Sequence, residues 1–126
     1  MVRNWDTVRE ILLALEAVTT PNGNLRHDQV PGIDPQDVAY HMRLLKEAGL
    51  IEALIKDSKS GNNQISIALA DRLTWRGHEL LDTIRQKTVW EKVKTFGKEK
   101  VGPLTFEAVM EIGKAVVKDS LTGSSG

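Results

Sequence analysis

The chain has 126 residues, among them three histidines and no cysteine, and its 17 lysine and arginine residues equal its 17 aspartate and glutamate residues. A chain of this length can bury the hydrophobic core of one domain. The lack of cysteine excludes disulfide bonds, zinc sites built on thiolates and a cysteine nucleophile. The neutral overall charge lacks the basic excess that by itself indicates nucleic-acid binding. The charge is uneven, however, because residues 1–84 carry a net charge of −3 and residues 85–126 a net charge of +3.

The N-terminal residues predict a helix and no targeting segment. Asn4 is a good N-cap, and apolar residues recur at helical spacing from Trp5 to Val18, which predicts a helix over 5–18. The first eight residues contain no apolar signal core, and no apolar run approaches the ~20 residues that span a bilayer. We therefore expect a cytoplasmic protein without a membrane segment.

Residues 19–33 predict an irregular connection. Pro21 and the pair Asn22-Gly23 are typical of a turn. The segment 25–33 has little apolar periodicity, and Pro31-Gly32 would stop any helical turn that formed there. We predict a short strand or an irregular segment in this region.

Residues 34–49 predict a helix with a capping residue at each end. Asp34 is a good N-cap, Pro35 suits the first helical position, and Gly49 suits the left-handed residue after the last turn, which predicts a helix over 35–48. A core stripe is predicted for Val38, Met42, Leu44, Leu45 and Ala48. The opposite face is predicted to expose Gln36, Ala39, Tyr40, Arg43 and Lys46.

A β-hairpin is predicted over 50–70, with strands at 50–56 and 64–70 joined by a polar turn. Alternation places Ile65, Ile67 and Leu69 on its core face. Lys56 and Lys59 near the turn could meet phosphates, but Ser, Gly and Asn at a tip are also what any solvated hairpin needs.

Three further helices are predicted after the hairpin. Thr74 should cap a helix over 74–86 that turns Trp75, Leu80, Leu81 and Ile84 to the core. Thr88 and Glu91 fit a capping box that opens a helix ending at Gly97, and Thr105 should cap the last helix. This pattern divides the chain into a core over 1–86, a helical extension over 87–120 and a flexible tail over 121–126.

Two motifs carry a family resemblance. The central helix contains Val38, His41, Met42 and Leu45, and it leads into Ala48, Gly49, Leu50 and Ile51. This run resembles the third helix and following strand of winged helix-turn-helix domains. The run Leu73–Asp82, followed by Thr88–Lys94, is similar to an uncharacterised bacterial winged-helix family that is frequent in prophages and other mobile elements. The likeness spans about Trp5 to Lys118 and implies a mainly α fold with a small antiparallel sheet, namely a winged helix with extra C-terminal helices.

The sequence offers no pattern for catalysis. The three histidines His27, His41 and His78 do not stand at a metal-ligand spacing, and no glycine-rich phosphate loop is present. His41 is predicted to pack beside the core. We expect no catalytic residue, no metal, no cofactor and no small-molecule substrate.

Two functions remain open. The first is a DNA-associated regulator of phage or bacterial origin that binds double-stranded DNA through Gln36, Ala39, Tyr40, Arg43 and Lys46 of the helix and through Lys56 and Lys59 of the hairpin. The alternative is a protein-interaction module that keeps the fold without binding DNA. If these two residues have only a structural role, Tyr40 covers the hairpin and Arg43 pairs with Glu47. The C-terminal helices, with adjacent Val116 and Val117, either build a homodimer or complete the monomer core.

Overall fold

The computed structural model describes residues 1–20, 23–60, 64–99 and 104–121, and these contain five helices and three strands. The elements are α1 (Trp5–Glu16), β1 (Leu25–Arg26), α2 (Pro35–Glu47), β2 (Ile51–Asp57), β3 (Ile65–Leu73), α3 (Trp75–Ile84), α4 (Lys87–Glu99) and α5 (Phe106–Leu121). The fold is mixed α/β, with one antiparallel sheet in the strand order β1-β3-β2. The chain forms two compact units, Met1–His78 and Glu79–Gly126. The predicted turn residues Pro21 and Asn22 and the tail after Leu121 lie outside the described residues.

The first two helices begin at the capping residues that the sequence predicts. The side chain of Asn4 accepts hydrogen bonds from the backbone N–H groups of Asp6 and Thr7, and that of Asp34 accepts one from Gln36. These bonds satisfy donors that have no partner within the helix. At the other end of α2, Gly49 has a φ of 75°, which a residue with a side chain rarely adopts. The predicted start and stop of α2 are therefore confirmed.

The core of the first unit lies between the two helices and the sheet, because α1 packs against α2 and β3 while α2 packs against β2 and β3. Its buried side chains include those of Val8, Ile11, Leu12, Val38, Met42, Leu45, Leu50, Ile51, Ala68 and Ala70. The predicted core positions Val38, Met42 and Leu45 are thus confirmed, whereas Leu44 is only half-buried. Ala48 is exposed because it forms the C-cap of α2, beyond the part of the helix that faces the core.

The segment between α1 and α2 contains a strand and a turn, as predicted. Leu25 pairs with Ala70 and Arg26 with Leu69 in β3. A turn follows, in which Gln29 donates its backbone N–H to the carbonyl of Arg26. The Arg26 side chain hydrogen-bonds Asp28 and so lowers the pKa of that carboxyl below its usual value. Residues 23–34 therefore contain no helix before α2.

The β2–β3 hairpin has two irregularities that change which residues face the core. Lys56 pairs with Ile67 and Asp57 with Ile65, so Ser66 is an extra residue in β3. Such a bulge reverses the alternation along a strand. Consequently Ile65, Ala68, Ala70 and Leu73 are buried, whereas the predicted core residues Ile67 and Leu69 are only half-buried. The prediction was wrong for those two residues because it assumed an unbroken alternation.

The start of α3 is attached to the corner between α2 and β2. Thr74 donates its backbone N–H to the carbonyl of Leu50 at 3.0 Å and its hydroxyl to the carbonyl of Gly49 at 2.6 Å. The same hydroxyl accepts a bond from the N–H of Gly77, which confirms Thr74 as the cap of α3. A Cβ atom on Gly77 would lie 2.0 Å from the carbonyl oxygen of Leu50, so only glycine fits there.

The second unit contains the end of α3 and the whole of α4 and α5. Its buried side chains include Leu80, Leu81, Ile84, Val89, Trp90, Val93, Val109, Ile112 and Val116. Thr105 caps α5, as predicted, by accepting the N–H of Ala108 at 3.1 Å. Two predictions about α4 were wrong. The helix begins at Lys87, so Thr88 lies within its first turn, and it continues past Gly97 to Glu99 because a glycine is tolerated inside a helix that packs.

Candidate nucleic-acid interface

The amide of Gln36 is already occupied by the hairpin. Its nitrogen donates to the carbonyl of Ile65 at 2.8 Å, and its oxygen accepts the N–H of Ile65 at 3.0 Å. Reading a base would require both bonds to break. Gln36 therefore connects the first turn of α2 to the first residue of β3, and it is poorly placed for the DNA contact that the sequence predicted.

Ala39 cannot contact DNA because its side chain is fully buried. The prediction that it points away from the core was wrong. Ala39 precedes Met42 by three residues, and positions three apart lie on the same face of a helix. The buried face of α2 is consequently wider than the predicted stripe and includes Val38, Ala39, His41, Met42 and Leu45.

Arg43 forms an ion pair with Asp57, the last residue of β2, with 2.5 Å between Nη2 and Oδ1. The predicted pairing with Glu47 was wrong, because the end of β2 brings a carboxylate to the guanidinium from outside the helix. The side chains of Arg43 and Asp57 are 36% and 67% exposed. An ion pair this exposed contributes at most about 1 kcal/mol, so a phosphate can replace its carboxylate at small cost.

Tyr40 lies beside a buried histidine. It is half-buried, and its ring meets that of His41 edge-on with 5.5 Å between centroids. His41 Nε2 accepts the backbone N–H of Asn4 at 2.8 Å, which leaves Nδ1 to donate to the carbonyl of Asp37 at 2.7 Å. His41 thus joins α2 to the N-cap of α1, and its predicted packed role is confirmed.

Three lysines on α2 and the hairpin are exposed, and we call them the lysine group: Lys46, Lys56 and Lys59. None of them makes an ion pair with any other residue that the structure describes. Lys56 precedes Asp57, the partner of Arg43, and Lys46 follows Arg43 by one helical turn. Lys56 lies two residues after Leu54 and so projects from the outer face of the sheet, whereas Lys46 lies on the same side of α2 as Arg43. Glu47, also exposed, adds one negative charge beside Lys46.

The other two histidines make no metal site. His27 extends the β1–β3 pairing, since its backbone N–H donates to the carbonyl of Ala68 and its Nδ1 accepts the N–H of Ala68. His78 is exposed. Within the described ranges, no three His, Cys, Asp or Glu side chains cluster where a metal ion could bind. None of the helices in those ranges is long and apolar enough to cross a membrane.

Trp75 is exposed at the start of α3, contrary to the prediction. The residue, predicted to face the core, is 81% exposed. The signal for this was present, because Trp75 lies two residues before Gly77, on the opposite side of the helix from Gly77, Leu80, Leu81 and Ile84. Leu54 is also 47% exposed and pairs with half-buried Leu69 on the outer face of the sheet.

The fold and the surface together define a small mixed α/β protein with three exposed lysines on α2 and the β2–β3 hairpin. The chain belongs to the DUF2513 family of hypothetical proteins, whose profile matches residues 2–103. It is 43% identical over 121 residues to an uncharacterised protein of Haemophilus influenzae, an alignment that covers 96% of this chain and 99% of that protein. The predicted membership of an uncharacterised family is confirmed. No solved structure matches the chain.

Proposed function

We propose that this chain is a winged-helix protein that binds double-stranded DNA through α2 and the β2–β3 hairpin, as a regulator in a bacterial or phage setting. The order α1, β1, α2, β2, β3 supports a winged-helix assignment in which the positioning helix is replaced by β1 and its turn. The match to a bacterial protein along nearly the whole chain agrees with a bacterial setting.

The observation that carries the proposal is the lysine group. Lys46, Lys56 and Lys59 are exposed, and in the described part of the chain no carboxylate neutralises them. A side chain that makes no internal bond is free to release a counterion and bind a phosphate. The neighbouring Arg43 can join them by exchanging Asp57 for a phosphate or a guanine edge.

Phosphate contacts should dominate base reading at this surface. Gln36 is held by Ile65 and Ala39 is buried, so two of the five predicted helix contacts are unavailable. Tyr40 and Arg43 remain as the residues that could stack on a sugar or reach a base. We therefore propose moderate affinity, a modest sequence preference and a salt dependence of roughly −2.7 in log K against log salt for three phosphate contacts.

The test is fluorescence anisotropy with a labelled random-sequence duplex over a salt series. The variant Lys46→Gln/Lys56→Gln/Lys59→Gln should lose most of the affinity and nearly all of the salt slope. The matched control is Lys87→Gln/Lys114→Gln/Lys118→Gln, which removes three exposed lysines from α4 and α5 and should bind like the natural chain. Undetectable binding by the natural chain at low salt would refute the proposal, as would equal losses in the two variants.

Arg43 separates phosphate binding from base reading. Arg43→Ala should weaken a preferred duplex by about 1–3 kcal/mol if the guanidinium reaches a base edge, with little change in melting temperature. An equal loss on all duplexes would make Arg43 a phosphate contact only.

A second candidate function is a protein-interaction module. It is favoured by Trp75, because an aromatic side chain that is 81% exposed is typical of a binding hot spot. Trp75→Ala should leave DNA affinity unchanged if DNA binding is the function of α2 and the hairpin. Absence of DNA binding together with a folded natural chain would favour the interaction module.

A further inference from the structure

A groove runs between α4 and α5 in the second unit, and we call it the α4–α5 groove. It encloses about 800 Å³ and is lined by Lys92, Phe96, Glu111, Ile112, Ala115, Val116 and Asp119. Phe96 is 47% exposed although α4 turns Val89, Trp90 and Val93 inward. The groove therefore presents an aromatic ring and aliphatic side chains to whatever lies against it.

The two rims of the groove carry opposite charges that do not neutralise each other. Lys92 lies on the α4 rim and Glu111 on the α5 rim, and both are exposed. Neither forms an ion pair with another residue in the described ranges. Each rim thus keeps a charge whose complement lies on the opposite rim of the same groove.

This arrangement is complementary to itself. In a dimer with twofold symmetry, the same surface of both copies meets, so any residue that contacts a second residue is matched by the reverse contact. Two copies facing each other would place Lys92 of each beside Glu111 of the other, while the two Phe96 rings fill the apolar floor. A partner of uniform charge would satisfy only one rim.

We propose that the α4–α5 groove binds a second copy of this chain, with Lys92 and Glu111 paired across the twofold axis. This proposal is independent of DNA binding, since it concerns residues outside α2 and the hairpin. It also assigns a role to Phe96, whose exposure the packing of α4 does not explain.

Sedimentation of the full chain at tens of micromolar tests the proposal. The natural chain should be a dimer, and Lys92→Glu or Glu111→Lys alone should weaken association by about tenfold or more through like-charge contact. Lys98→Glu and Glu107→Lys are the matched controls, because each reverses an exposed charge on the same helix outside the groove. Both controls should remain dimeric.

Mixing the two groove variants gives the sharpest result. Lys92→Glu places a glutamate at both paired positions and Glu111→Lys a lysine at both, so each should be mainly monomeric alone, yet a 1:1 mixture should form heterodimers. The double variant Lys92→Glu/Glu111→Lys should regain homodimers. A monomeric natural chain would overturn the proposal. Variants that keep the dimer, or a mixture that fails to associate, would also overturn it.

Phe96→Ala provides a readout that does not depend on charge. It should shift the natural dimer toward monomer while far-UV circular dichroism stays unchanged, because a half-exposed ring contributes little to the fold of one chain. A folded Phe96→Ala variant that remains as dimeric as the natural chain would overturn the proposed floor of the interface.

Discussion

Replacing Gly77 with alanine tests the attachment of α3 to the α2–β2 corner. The added Cβ would lie 2.0 Å from the carbonyl oxygen of Leu50 and 3.0 Å from its carbonyl carbon. Both atoms belong to the backbone, which cannot move aside as a flexible side chain can. The substitution must therefore push α3 away from Leu50.

The expected magnitude follows from three contributions. Overpacking costs about 1–3 kcal/mol. Separating Thr74 from Gly49 or Leu50 weakens a hydrogen bond at a cost of about 1 kcal/mol. The higher helix propensity of alanine stabilises the folded state by at most about 1 kcal/mol. We expect Gly77→Ala to lower the free energy of unfolding by about 1–3 kcal/mol.

Two other helical glycines serve as matched controls, and urea unfolding measures all three. At Gly97 the nearest atom to an added Cβ is Leu104 Cδ1 at 3.0 Å, the end of a flexible side chain, so the helix propensity of alanine should offset the contact and Gly97→Ala should change stability by at most about 1 kcal/mol. At Gly113 it is Thr83 Cγ2 at 2.4 Å, which should give an intermediate loss. If Gly77→Ala were as stable as Gly97→Ala, the close packing of α3 on the backbone of Leu50 would be refuted.

Three other substitutions have defined outcomes in the same unfolding assay. Leu45→Ala should cost about 2–5 kcal/mol through lost burial and the cavity left behind. His41→Ala should cost about 2–4 kcal/mol, because it opens a cavity and leaves the N–H of Asn4 without its acceptor. Trp75→Ala should cost less than about 0.5 kcal/mol, whereas Trp90→Ala should cost about 3–5 kcal/mol.

Each of these three predictions would be contradicted by a specific result. A loss below about 0.5 kcal/mol for Leu45→Ala would mean that the wrong face of α2 is turned to the core. An unchanged His41→Ala variant would show that α1 and α2 do not depend on the bond to Asn4. Similar losses for the two tryptophan variants would contradict the exposure of Trp75, which acrylamide quenching of Trp75→Phe checks independently.

The starts of α1, α2, α3 and α5 were predictable because capping is a local interaction. Asn4, Asp34, Thr74 and Thr105 all bond backbone groups within three residues, so their side-chain chemistry is visible in the sequence. Gly49 was predictable for the same reason, since it only needs a positive φ after the last turn of α2.

Features that depend on residues distant in sequence were not predictable in this way. The bulge at Ser66 arises from the pairing of β2 with β3, and the contact of Arg43 with Asp57 spans 14 positions. Gln36 reaches Ile65 across 29 positions, so its polar side chain resembled a free surface residue. The predicted exposure of the three lysines is therefore confirmed, whereas Gln36 and Ala39 contact other parts of the protein and are not exposed for binding.

The bond between Gln36 and Ile65 has a consequence for how the hairpin forms. A carboxamide has one donating and one accepting end, and here both are satisfied by the N–H and C=O of a single residue. If β3 slipped by one position against β2, every side chain would turn to the opposite face and this pair of bonds would be lost. The first turn of α2 thus selects the correct strand pairing from outside the sheet, and Gln36→Ala should make misregistered, aggregation-prone hairpins more frequent during refolding.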